Sequence, residues 1–274
     1  MALADQFDGL LIDLDGVVWV GREPVPGSAE TLATLLAAGK ELVFVTNNPA
    51  RPPARYAERL REIGVEVGPE RIVTAGMVAA RLAGEAAGPG GGAFVIGESA
   101  LKEMVVAAGA TLLEGEAGKG ADVVVVSGHR GFDYAELLTA KRALDAGAAL
   151  VATSHDPTMP MPGGEWPGTG SILAAVETAS GRTAEIGGKP ERHLFEMALD
   201  VLARGSLDTV DGIKEPCEGR VAMIGDRISS DIDGGRAAGL ATILVLSGTS
   251  SRAQAEAAEP PPDHVIENLA GLLL

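Results

Sequence analysis

The chain has 274 residues, enough for one large domain or for a core carrying a second module. Hydrophobic residues make up 46% and aromatics only 3%, so the expected core is filled by Val, Leu, Ile and Ala, as in a buried parallel sheet flanked by helices. A formal net charge of −16 repels phosphate backbones and anionic membrane surfaces, so neither nucleic acid nor membrane is an expected partner; a small anion stays admissible where local donors and a cation dominate.

Short apolar runs alternate with segments of helical periodicity. Strands are expected at Leu10–Ile12, Leu42–Val45, Val123–Val126, Leu150–Ala152, Val221–Ile224 and Thr242–Leu246. Helices are expected at Ser28–Ala38, Ala54–Ile63, Tyr134–Ala146, Glu191–Ala203 and Asp231–Ala238. Gly88-Pro89-Gly90-Gly91-Gly92 resembles a hinge or linker. Pro157 to Gly170 is a second Pro- and Gly-rich stretch. With His155, Asp156, Met159 and Trp166 in or beside it, it has the make-up of a binding loop. The lone Cys217 allows no intrachain disulfide, and neither a basic-then-apolar leader nor a run of membrane-spanning length is evident. The expected location is cytoplasmic.

The first expected strand runs into Asp13-Leu14-Asp15-Gly16, which places two carboxylates at its carboxyl end, where open parallel sheets bind their ligands. Alternation along extended chain points both the same way, and Gly16 allows a sharp turn. Two such charges are costly unless a cation or proton sits between them. Taken alone, Asp-Gly is also a common turn.

The second strand delivers Thr46-Asn47-Asn48-Pro49, with a hydroxyl and two amides able to hold phosphoryl oxygens, or simply to build a polar loop. Gly187-Gly188-Lys189-Pro190 places a cation at a helix start, though the surroundings are not those of a Walker loop. Val221–Ile224 leads into Gly225-Asp226-Arg227 and then Asp231, which is expected at the start of a helix. Carboxylates from separate strand ends make a hard-oxygen site suited to Mg²⁺, and Thr46, Asn47 and Lys189 supply donors for a bridging anion. That combination is a phosphoryl-transfer site. The histidines at 129, 155, 193 and 264 show no zinc spacing, and there is no Gly-x-Ser-x-Gly elbow.

In this order the motifs resemble the haloacid dehalogenase superfamily. Thr46-Asn47-Asn48, Pro167-Gly168-Thr169-Gly170-Ser171 and Val176-Glu177-Thr178-Ala179-Ser180-Gly181 resemble its NagD-like branch of phosphoglycolate, glycerol-3-phosphate, pyridoxal-phosphate and 4-nitrophenyl phosphatases. The resemblance implies an α/β fold with a doubly wound, mainly parallel core at residues 1–78 plus 185–274, and an inserted α/β cap at 79–184. It implies a Mg²⁺-dependent hydrolase of small phosphorylated metabolites working through an aspartyl-phosphate. Asp13 would be nucleophile and metal ligand. Asp15 would be acid then base and lend its carbonyl to the metal, with Asp226 and Asp231 completing or supporting the metal shell. Thr46, Asn47, Asn48 and Lys189 would hold the phosphoryl group, while His155, Asp156 and Met159 fall in the cap's substrate loop.

Dehalogenases and phosphonatases of the superfamily lack the second carboxylate that Asp15 provides, so a phosphatase is expected despite the superfamily's name. Many relatives read Asn-x-Asp where this chain has Ser154-His155-Asp156, and pyridoxal-phosphate phosphatases have His at the position of Met159. Met159 therefore argues against a dedicated pyridoxal-phosphate enzyme. A homodimer through the cap is a further implication. The rival classes are a catalytically idle metabolite-binding or regulatory protein and a phosphotransferase.

Overall fold

The computed structural model describes residues 1–161, 164–205 and 220–274. Cys217 lies outside the described residues. These divide into two compact units: Met1–Thr46, Pro53–Val73 and Lys189–Leu274 form the first, and Asn47–Pro52 with Thr74–Gly188 the second.

The first unit is built on a six-stranded sheet in the order His264–Ile266, Ala241–Val245, Val221–Gly225, Gly9–Asp13, Glu41–Thr46, Ile72–Thr74. The first five pair in parallel. All five residues of Gly9–Asp13 and of Val221–Gly225 are buried. This is why both read as continuous apolar runs rather than as alternating ones. Leu10, Ile12, Phe44, Ala222 and Ile224 pack with Leu32, Leu60 and Trp19 in one core cluster. Helices Ser28–Ala37 and Pro53–Glu62 bury one stripe each, Thr31, Leu32 and Leu35 in the first and Tyr56, Ala57 and Leu60 in the second. A hairpin of Trp19–Val20 and Glu23–Pro24 follows the first strand directly.

The second unit carries an all-parallel sheet in the order Glu185–Ile186, Ala149–Ala152, Val123–Val126, Gly92–Ile96, Thr111–Leu112. Phe94, Val124, Val126 and Leu150 pack there against Ala140, Leu144, Leu173 and Val176 of helices Tyr134–Asp145 and Thr169–Ser180. An antiparallel hairpin, Thr158–Met161 with Gly164–Pro167, stands apart from that sheet.

The expected alternation of strands and helices is present, with corrections. Gly88–Gly92 is no inter-unit linker: it lies within the second unit and joins helix Ala75–Ala87 to strand Gly92–Ile96. That helix and Ser99–Ala107 were not among the expected ones; in the first, alanine and glycine fill most positions and blur any apolar stripe. Pro157 to Gly170 is not a loop throughout, since the hairpin Thr158–Met161 and Gly164–Pro167 occupies most of it. Asp231 lies in a π-helical turn, Ile228–Ile232, ahead of the short helix Asp233–Ala237 rather than at its start. No helix among the described residues is long and apolar enough to cross a membrane.

Candidate active site

Sheet register assembles the site in the first unit. Asp13 pairs with Val45 on one side, and Ile12 pairs with Ile224 on the other. Parallel pairing therefore ends the three strands together and brings Asp13, Thr46 and the Gly225-Asp226 step to one edge, the carboxyl ends where such sheets bind ligands. Asp13, Asp226 and Asp231 each offer an oxygen within 4.8 Å of the others, and all three are buried. Two glycines make this approach possible. A Cβ on Gly16, whose φ is +91°, would stand 2.4 Å from Asp226 Oδ2, and one on Gly225 would stand 2.2 Å from the Asp231 Cβ.

Lys189 is only 3% exposed. Its ammonium donates to Asp231 Oδ1 at 2.6 Å and also pairs with Asp13. Backbone amides fix the other carboxylate oxygens: the Thr249 N–H donates to Asp226 Oδ2 at 2.6 Å, and the Arg227 N–H donates to Asp231 Oδ2 at 3.0 Å. Burial pushes the Asp13 carboxyl well above the ordinary carboxylate range; Lys189 opposes this, and the Asp231 and Asp226 charges add to it. Asp226 is raised likewise, by burial and then Asp231, against the hydrogen bonds from Thr249. Burial works against the charge on Lys189, yet Asp13 and Asp231 outweigh it and hold its pKa above the usual lysine value.

Among the described residues the cluster holds three carboxylates and one ammonium, that of Lys189, which pairs with Asp13 and Asp231. A buried excess of negative charge beside oxygen-only donors is the setting for a hard divalent cation, and the donor set fits Mg²⁺. No histidine or cysteine belongs to the cluster among the described residues.

Asp15 is placed differently from Asp13. It is exposed and lies beyond the strand, in a turn where the Val18 N–H returns to the Leu14 carbonyl at 2.9 Å. Its carboxylate is not part of the three-carboxylate group, and Oδ1 accepts from Trp19 Nε1 at 3.0 Å. The strand ends at Asp13, so the extended-chain alternation expected to run from Asp13 to Asp15 does not apply there. Thr46, 1% exposed, closes strand Glu41–Thr46.

The remaining expected residues belong to the second unit. Asn47 Nδ2 donates to Asp156 Oδ2 at 3.3 Å, and the Asp156 N–H donates to Ser154 Oγ at the same distance. Asn48 accepts from the Ala50 N–H at 3.1 Å, so its side chain closes its own turn. His155 is exposed, and Met159 faces Trp166 across the hairpin register. The unit therefore joins Asn47 to Asp156, while the Asn48 side chain also closes the turn to Ala50.

Sequence reading missed the loop Ser247-Gly248-Thr249. Its Ser247 hydroxyl donates to the Gly16 carbonyl at 2.7 Å, and a Cβ on Gly248 would meet Asp226 Oδ2 at 2.0 Å. The available signal was its place directly after a buried strand, where the other site loops also begin. Trp19 was missed as well, its ring being indistinguishable in sequence from ordinary core.

A family model described as haloacid dehalogenase-like hydrolase matches residues 10–111, and a second HAD-like hydrolase model matches residues 186–272. Glycerol-3-phosphate phosphatase of Gallus gallus is 34% identical over 99% of this chain and 93% of its own length. The structure of glycerol phosphate phosphatase from Mycobacterium tuberculosis in complex with magnesium matches with a TM-score of 0.86 and 33% identity, over 100% of this chain and 78% of that one. NagD from E. coli matches with a TM-score of 0.82 and 29% identity, over 97% of this chain and 98% of that one. The chain belongs to the haloacid dehalogenase-like hydrolases. Within them it falls in the NagD-like phosphatase branch, whose chemistry is metal-dependent hydrolysis of phosphomonoesters.

Proposed function

We propose that this enzyme hydrolyses small phosphorylated metabolites, glycerol phosphate and phosphoglycolate first among them, through a phosphoryl group carried on Asp13. The observation that carries the proposal is the buried cluster in which Lys189 faces Asp13 and Asp231 while Asp226 lies within reach of both carboxylates. Asp13, Asp226 and Asp231, with the Asp15 backbone carbonyl, would hold Mg²⁺. When bound, that ion supplies positive charge that lets a dianionic phosphate approach a carboxylate.

An Asp13 carboxylate oxygen attacks phosphorus, and the bond from phosphorus to the ester oxygen breaks. Asp15 gives its proton to the departing alkoxide, then takes one from water as that water attacks the phosphorus of the aspartyl-phosphate. Phosphate leaves and Asp13 is restored. Lys189 stays protonated throughout, consistent with its upward shift, and offsets charge on the transferring oxygens. Thr46, Asn47 and Asn48 are assigned to the phosphoryl oxygens, with Asn48 acting through the turn it closes.

Residues 79–184 are assigned as the family's cap, with His155, Asp156 and Met159 selecting the leaving group. The apolar Met159 favours small polyol and hydroxy-acid esters over pyridoxal phosphate. A homodimer through this unit and a cytoplasmic location complete the proposal. Light scattering on the purified protein reads the oligomeric state.

The decisive experiment is phosphate release from a panel of monoesters in Mg²⁺, with acid-quenched peptides analysed by mass for phosphate on Asp13. Turnover with phosphate on the Asp13 peptide is expected. No turnover of any monoester would leave an idle binder, and transfer to an acceptor without free phosphate would make the enzyme a phosphotransferase.

A further inference from the structure

Asp15 is the most exposed of the carboxylates assigned to the chemistry, yet its orientation is fixed by a buried residue. Trp19, 1% exposed, packs in the core of the first unit. Its indole N–H emerges from that core to donate to Asp15 Oδ1 at 3.0 Å. The segment between them is closed twice over, because the Gly16 N–H donates to the Trp19 carbonyl at 2.7 Å and the Trp19 N–H returns to the Leu14 carbonyl at 3.3 Å. Outside the ring stands Arg59, its guanidinium carbon 3.8 Å from the indole centroid and Nη2 donating to the Gly21 carbonyl at 2.6 Å. The ring is thus held between the core and a cation, and the cation's field also strengthens the N–H as a donor.

We propose that Trp19 is a positioning residue for the acid–base step: its indole N–H selects one rotamer of Asp15 and reserves Oδ2 as the oxygen that carries the transferable proton. The inference rests on the assignment of Asp15 as the acid. The indole N–H is best accepted by the carbonyl oxygen of a protonated carboxyl, so a bond to Oδ1 biases the acid to carry its proton on Oδ2. No hydrogen bond occupies Oδ2 among the described residues. An unanchored aspartate spreads over three staggered χ1 wells, and only a fraction of that population is useful to a departing alkoxide. The bond to Trp19 removes that dilution. A bond that merely satisfied a buried indole would affect folding alone.

The test exploits leaving groups. An alkoxide leaves poorly without a proton, whereas 4-nitrophenolate leaves unaided. The kcat/KM value reports the steps up to departure of that group and is blind to later hydrolysis of the aspartyl-phosphate. Trp19→Phe keeps the ring and removes the N–H. It is expected to lower kcat/KM for glycerol phosphate about 10-fold while changing 4-nitrophenyl phosphate by less than about 2-fold. In an Asp15→Asn background the same substitution should add no selectivity, since there is no acid left to orient.

Equal losses on both esters, or no loss, in Trp19→Phe while Asp15→Asn alone is selective would overturn the role of Trp19 and leave Asp15 as the acid. If Asp15→Asn is itself unselective, the assignment of Asp15 fails and the inference falls with it. Should Trp19→Phe not fold, site-specific replacement of Trp19 by 3-benzothienylalanine removes the N–H with the ring shape kept, and the same readings apply.

Discussion

Gly16 and Asp226 stand so close that a single methyl group on the glycine would lie 2.4 Å from the Asp226 carboxylate oxygen. Asp226 is 3% exposed and tethered by the Thr249 amide, so it cannot swing aside freely. Gly16→Ala therefore combines a strained φ of +91° with displacement of a metal-site carboxylate. A loss of about 1–3 kcal/mol in stability is expected, with activity falling by more than the unfolded fraction explains. Urea unfolding beside phosphatase assays at rising Mg²⁺ checks both; a variant with wild-type Mg²⁺ dependence would refute the steric argument.

Lys189 is the shared partner of Asp13 and Asp231, so its removal leaves two buried carboxylates facing each other. Lys189→Met should cost about 3–5 kcal/mol in the metal-free protein, the range for breaking a buried pair by taking one partner away. Mg²⁺ should restore part of that stability, by supplying positive charge, but not turnover. Unfolding curves with and without the ion, set against kcat, test the separation.

Asp13→Asn removes the assigned nucleophile and one of three crowded negative charges. Turnover should fall at least about a thousand-fold, while inorganic phosphate binds as well as or better than to the wild type. Calorimetric titration with phosphate in Mg²⁺ reads the second half. An idle binder would show no turnover to lose.

The raised Asp13 and Asp226 pKa values set the direction of a pH effect. A carboxyl raised in the folded protein holds its proton more tightly than in the unfolded chain. The stability it contributes is full below the unfolded carboxyl range and is lost as pH rises through the folded value. Metal-free protein should therefore lose stability from these groups as pH rises out of the acid range. The Mg²⁺-induced rise in Tm should grow over the same window, because bound metal displaces those protons. Thermal melts from about pH 4.5 to about pH 8, with EDTA or with Mg²⁺, follow both trends. A metal-induced shift that shrinks as pH rises would contradict the assignment of these carboxylates as ligands.

Much of the first unit's sheet and its chemistry were legible in the chain itself. Buried parallel strands write themselves as short continuous apolar runs, and Asp13, Thr46 and Asp226 stand at or directly after the ends of three of them. Strand ends that neighbour one another in a parallel sheet must share an edge, so order along the chain foretold proximity in space. Edge strands of two or three residues, such as Glu185–Ile186 and His264–Ile266, are too brief to leave such a signature. Helix Ala75–Ala87 is too rich in alanine and glycine to show a stripe.

What sequence alone determined, then, was a set of residue types at strand ends: acidic groups, a hydroxyl and a lysine suited to a metal and a phosphoryl group. Tertiary structure decided how each is held. It closed Lys189 onto Asp13 and Asp231 across gaps of 176 and 42 residues, brought Thr249 to Asp226, and joined Asp15 to Trp19. Those outcomes depend on hydrogen-bond directions and on space that only glycine leaves open, which are properties of packed atoms and leave no periodicity for a sequence to display.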